Sequence, residues 1–96
     1  MHFQFPHKTS KFKATQKVKE ALEHARPQLK EHAKVTEERW SGDTLHFAAD
    51  LQGKNISGTL VVTDTEFIVD AKLPLLWRLF EGRIEKMIRE QVKQMM

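Results

Sequence analysis

Five histidines and thirteen carboxylates are the side chains here best suited to metal or acid–base chemistry. Their spacing supports neither. His24 and His32 share one helical segment at i, i+8, about 12 Å apart by helical rise. His2 and His46 are expected as neighbours on the outer face of a sheet. No Glu-x-x-His or His-x-x-x-His spacing accompanies them, so neither a metal site nor a cofactor is expected. Nucleophilic catalysis needs a Ser, Thr or Lys beside a base and an orienting group. Ser10, Ser41 and Ser57 instead fall at a helix cap, a turn and a polar strand face. Glu37, Glu38, Asp64 and Glu66 lie in or near strands and turns, with nothing to pair them across a cleft. Gly42, Gly53, Gly58 and Gly82 are dispersed, so no glycine-rich loop cradles phosphate. These absences together predict a protein that is not an enzyme.

The residues that stand out lie on the C-terminal segment, Leu73 to Met96. Leu73, Leu76, Trp77, Phe80, Ile84, Met87, Ile88 and Met95 share a stripe at helical spacing, as expected of a face packed on a core. Leu75, Leu79 and Gly82 lie nearly opposite at i, i+4 and i+7. Arg78, Arg83, Lys86 and Arg89 flank them. A second apolar strip needs a cover. The first helix would supply one by lying alongside. Otherwise the strip is an apolar patch rimmed by cations, suited to a homodimer contact, a protein partner or an apolar anionic surface.

A chain of 96 residues with 40% apolar and 30% charged residues has the composition of one soluble domain, residues 1–96, with a modest core. The absence of cysteine rules out disulfides and fits a reducing compartment. The opening residues lack a charged stretch followed by a long apolar run, so no secretory signal is expected. No apolar run is long enough to cross a bilayer. The expected location is the cytoplasm. The net charge of +3 hides a segregation: Met1 to Lys19 carries five lysines and no acid, whereas Thr36 to Asp70 holds seven acids against Arg39 and Lys54. Lys8, Lys11, Lys13, Lys17 and Lys19 could meet nucleic acid. The aromatic residues are expected in the core, however, and the outer sheet face is acidic to neutral, which argues against a base-stacking platform.

The elements that position these residues follow from periodicity. Phe3 to Phe5 alternates and stops at Pro6, as a short strand does. Thr9 or Ser10 can cap a helix with Val18, Leu22, Ala25 and Leu29 on one face, beside Ala14 and Ala21. Pro27 predicts a kink or break near Arg26. Four strands follow: Val35 to Trp40, Thr44 to Leu51, Asn55 to Thr63 and Glu66 to Lys72. Two-residue turns at Gln52-Gly53 and Asp64-Thr65 pair Ala49 with Ile56, Phe47 with Gly58, Leu45 with Leu60, Val62 with Phe67, Leu60 with Val69, and Gly58 with Ala71. Every inward residue then meets an inward residue, and a one-residue slip would ruin the match. Gly58 is expected to leave room for a ring or for a helix backbone. Trp40 points inward or outward according to the length of the turn at Ser41-Gly42-Asp43. Pro74 suits the first turn of a final helix of about 22 residues, or about 33 Å. The fold class is α+β, in the order β-α-β-β-β-β-α. The five-stranded antiparallel sheet has strand order 2-3-4-5-1, with both helices on one face and a long C-terminal helix.

Trp40-Ser41-Gly42-Asp43-Thr44-Leu45-His46-Phe47, Ile56-Ser57-Gly58-Thr59-Leu60-Val61-Val62, Leu73-Pro74 and Phe80-Glu81-Gly82-Arg83-Ile84-Glu85 stand in an order and spacing that resemble the polyhydroxyalkanoic acid system protein family. The resemblance covers nearly the whole chain. It departs from the family pattern at Pro27 and in the lysine-dense start. It implies a small cytoplasmic bacterial protein associated with polyhydroxyalkanoate storage granules, and it brings no catalytic residues with it.

The expected function is therefore that of a non-catalytic accessory protein. It would bind a partner, itself or a hydrophobic granule through the last helix. Leu75, Leu79 and Trp77 would supply apolar contact, and Arg78, Arg83 and Lys86 would supply charge. The alternative is a small carrier of apolar acyl ligands of helix-grip type, with a cleft among Phe47, Gly58, Phe67, Trp77 and Phe80.

Overall fold

The computed structural model describes residues 1–74, 77, 79 and 81–95, the side chain of Met95 excepted. The expectations for Leu75, Leu76, Arg78, Phe80 and the Met95 side chain therefore lie outside the described residues. The elements are β1 (His2–Pro6), α1 (Lys11–His32), β2 (Lys34–Ser41), β3 (Thr44–Leu51), β4 (Lys54–Val62), β5 (Glu66–Lys72) and α2 (Glu81–Met95). All neighbouring strands pair antiparallel in the order β1-β5-β4-β3-β2. This is the expected α+β arrangement. β1 lies beside β5, so it runs parallel to β2, and α1 carries the chain back between the two edges.

The register of the meander is the one that inward alternation demands. Ala49 pairs with Ile56, Phe47 with Gly58 and Leu45 with Leu60. Val62 pairs with Phe67, Leu60 with Val69 and Gly58 with Ala71. Gln52 and Gly53 have φ of 54° and 81°, the left-handed pair that a two-residue hairpin loop uses. At the next turn the Thr63 hydroxyl accepts from Glu66 N at 2.9 Å. Trp40 pairs with Leu45, which settles its direction: it faces inward.

Two features of the sheet differ from expectation. The register of β2 against β3 shifts between Val35 and Glu37, which makes Thr36 a bulge. Beyond the bulge, Glu38 pairs with Phe47 and so joins Val35 and Trp40 on the inner face. Gly58 does make room, but for a strand rather than a ring or helix. A β-carbon there would collide with the Asp70 carbonyl oxygen and lie 2.8 Å from Ala71 Cα. β4 and β5 close up at that point because Gly58 has no side chain.

The core sits at one end of the inner face. Phe3, Phe5, Ala14, Val62, Phe67 and Val69 form its buried cluster, and Met1, Val18, Trp40, Leu60, Ile88 and Val92 pack against it. The Phe3 and Phe5 rings meet edge to face at 4.9 Å. His7 is buried just beyond β1. Its Nε2–H donates to the Thr63 carbonyl at 2.7 Å, and its ring lies 5.1 Å from that of Phe67. It thereby fastens the β1–α1 connection to the β4–β5 turn.

Ser10 caps α1, its hydroxyl accepting from Lys13 N at 3.1 Å. Ala14 is fully buried, and its small size lets the helix approach the sheet. The helix then lifts away: Leu29 is 37% exposed, and Val35 below it on β2 is 41% exposed. The expected break near Arg26 does not occur, and α1 is continuous through Pro27. Proline costs a helix interior roughly 3 kcal/mol. Here the guanidinium of Arg26 grips Glu23 at 2.8 Å on the same helix and Glu38 at 3.0 Å on β2, which ties the helix to the sheet immediately before the proline.

The last helix also starts later than expected. Trp77 N donates to the Pro74 carbonyl at 2.9 Å, an i→i+3 bond, and Trp77 and Leu79 are in tight 3₁₀ geometry. α2 proper covers 15 residues, about 22 Å. It runs alongside β1: the Met1 amino group lies 3.4 Å from the Glu81 carboxylate, and Arg89 lies over Phe5. Eight residues of helix and four of strand both advance about 12–13 Å, so the two elements keep pace.

Candidate functional site

The described part of the C-terminal segment separates into two faces. Ile88 and Val92 pack on the core cluster. Met87 does not: it is 59% exposed, because it lies about 100° around the helix from Ile88. Val92, absent from the expected core stripe, takes the inward position one turn beyond Ile88 at i, i+4. The outward face carries Arg83, Lys86 and Met87, all exposed. Leu79, two residues before α2, is 82% exposed. Trp77 is half-buried. Of the expected contact residues, then, Leu79, Arg83 and Lys86 are at the surface and Trp77 is partly so. Leu75 and Arg78 lie outside the described residues.

The residues of the alternative cleft are spread out. Phe47 and Gly58 are directly paired and border one open depression with Met1, His2 and Asp70. Phe67 is 2% exposed inside the core. Trp77 is in the turn before α2, and Phe80 is outside the described residues.

Among the described residues no three His, Asp or Glu side chains converge as a metal-binding cluster. His24 and His32 are exposed on α1. His2 does not pair with His46. It hydrogen-bonds Asp70, its cross-strand partner, while His46 stands opposite Thr59 on β3, three strands from β1. His2, Asp70, Thr59, His46 and Arg39 make one row across all five strands on the outer face. None of the described helices is long and apolar enough to cross a membrane.

The electrostatics follow the segregation read in the sequence. Lys11 starts α1, where a cation opposes the helix dipole. It is held there by Asp43 at 3.1 Å and Asp64 at 3.9 Å, from the β2–β3 and β4–β5 turns. The hydrogen bond to Asp43, and then the two negative charges, raise its pKa above the ordinary 10.5. The Arg26 pKa is likewise raised, chiefly by its bonds to Glu38 and Glu23.

Three surface features were not foreseen. Phe12 is 72% exposed on the first turn of α1. It is two residues before Ala14, on the opposite side of the helix from the core, and helical phase alone would have placed it there. An open groove of ≈ 650 Å³ runs between Leu22, Arg26 and Leu29 on α1 and Val35, Thr36 and Glu38 on β2. A second groove, ≈ 480 Å³, is lined by Phe5, Pro6, Lys8, Arg89, Val92 and Lys93. Its walls come from opposite ends of the chain, so no local spacing announces it.

No curated protein and no solved structure matches the chain. Residues 1–96, the whole chain, match the family described as polyhydroxyalkanoic acid system protein. With that match over its full length, on the five-stranded sheet and two helices described above, the chain belongs to the polyhydroxyalkanoic acid system protein family.

Proposed function

We propose that the protein is a non-catalytic accessory factor of polyhydroxyalkanoate storage in the cytoplasm, and that it attaches to the hydrophobic granule surface through its C-terminal segment. The observation that carries this reading is the exposure of Leu79 (82%) and Met87 (59%) beside exposed Arg83 and Lys86. A helix that only had to cover β1 would have no use for apolar side chains on its outward face. Full burial of one such side chain at an interface contributes about 1.5–3 kcal/mol. The flanking cations favour an anionic boundary layer and keep the free protein soluble. Family membership supplies the storage context.

The test is co-sedimentation with washed polyhydroxyalkanoate granules. The wild-type protein is expected in the pellet. Leu79→Glu/Met87→Glu is expected in the supernatant, with an unchanged circular dichroism spectrum, because both positions are at the surface. Wild-type protein that stays in the supernatant, or a folded double variant that pellets equally well, overturns the reading.

A further inference from the structure

We infer that the groove between the end of β1 and α2 is a binding site for a single aliphatic carboxylate. Its floor is apolar, from Phe5, Pro6 and Val92. Its rim is cationic, from Lys8, Arg89 and Lys93. Arg89 stands 4.7 Å from the centre of the Phe5 ring, which fixes the guanidinium at the boundary between floor and rim. Of the three cations, Arg89 alone has a carboxylate partner among the described residues, Glu85 at 3.1 Å. Three like charges brought around one hollow repel one another. An anion placed between them relieves that repulsion, and Arg89 offers it a planar fork of donors.

The occupant is narrowed by the same residues. A free phosphate would leave the apolar floor unused. An extended peptide would have to add to the open edge of β1, where Pro6 has no N–H to offer. An alkyl chain with a carboxylate head matches both parts, with the head on the rim and the chain along Val92 and Pro6. The volume of ≈ 480 Å³ suits one chain of medium length, at the lower end of small-molecule pockets, which run from about 300 to 1,000 Å³. The groove residues are distinct from the attachment face at Leu79 and Met87, so this site and the granule contact can fail separately.

Decanoate is the probe, titrated below its micelle concentration into the full chain and followed by calorimetry and by amide shifts. One molecule is expected per chain, with shifts at Phe5, Lys8 and Val92. Decanol and inorganic phosphate are each expected to bind at least about tenfold more weakly. Arg89→Met/Lys93→Met should weaken decanoate binding by about tenfold or more. Lys8→Met/Lys93→Met, which leaves the cover of Phe5 intact, should show the same direction. Absence of saturation, phosphate binding as tight as decanoate, or unchanged decanoate affinity in the folded Lys8→Met/Lys93→Met variant overturns the site.

Discussion

Ala71 Cα lies 2.8 Å from the point where a β-carbon on Gly58 would stand, and the carbonyl oxygen of Asp70 is nearer still. The neighbours are backbone atoms of a paired strand, so they cannot rotate aside as a side chain would. Gly58→Ala must therefore part β4 from β5 at the centre of the sheet. The expected cost is about 3 kcal/mol or more, the upper range for overpacking. Gly82, in the first turn of α2, has open space where its β-carbon would go. Gly82→Ala is expected to stabilise by about 0.5–1 kcal/mol. Urea denaturation of the two variants checks the contrast: equal midpoints would mean that the tight approach at Gly58 is not real.

Lys11 gives the fold a pH dependence on the alkaline side. Its folded-state pKa is raised above 10.5 by Asp43 and Asp64, so its stabilisation is complete below 10.5 and is lost as pH rises through the raised value. Lys11→Met should denature at a lower temperature than wild type near neutral pH, by a small margin because the pair is solvent-exposed. The margin should shrink in high salt and vanish above the folded-state pKa. A constant difference across the whole alkaline range would show that the two aspartates do not hold Lys11.

The sheet was legible because two kinds of local signal agreed. Alternation fixed which residues of β3, β4 and β5 face inward, and Gln52-Gly53 with Asp64-Thr65 fixed where the chain reverses, so the pairs Leu45–Leu60 and Leu60–Val69 followed. What escaped depended on contacts between distant segments. The Thr36 bulge turns Glu38 inward, and Arg26 on α1 is its ion-pair partner among the described residues. That pair also ties α1 to β2 one residue before Pro27, a contact no local rule anticipates. Met87 is exposed and Val92 packs inward because a stripe counted from Leu73 assumes one unbroken α-helix, whereas Trp77 and Leu79 are 3₁₀ and α2 covers Glu81–Met95. Spacing grouped Leu79 with Arg83 and Lys86 but left open whether the first helix covers them, and their exposure follows from where α1 lies. The groove of Lys8, Arg89 and Lys93 was not legible, because its walls are brought together by the way α2 lies along β1.

The Arg26 bridge makes a prediction about dynamics rather than global stability. Pro27 leaves the Glu23 carbonyl without its helical donor, so the turn around it is one hydrogen bond short. Beyond it the helix gains little from packing, since Leu29 and the residues after it are mostly exposed. The ties across the weak turn are Arg26 to Glu23 and Arg26 to Glu38. Glu38→Gln removes the charge that binds the helix to β2 and leaves the helix-internal pair in place. Local opening should then become easier at the C-terminal end of α1 only. Hydrogen exchange should quicken at Leu29 to Ala33, where Ala33 N bonds the Leu29 carbonyl at 2.7 Å, and stay unchanged at Ala14 to Val18. The double variant Arg26→Met/Glu38→Gln should exchange no faster at Leu29 to Ala33 than Arg26→Met alone, because the tie is lost once. Uniform acceleration along the helix would mean that α1 opens as one unit, and that the bridge does not compensate for the proline.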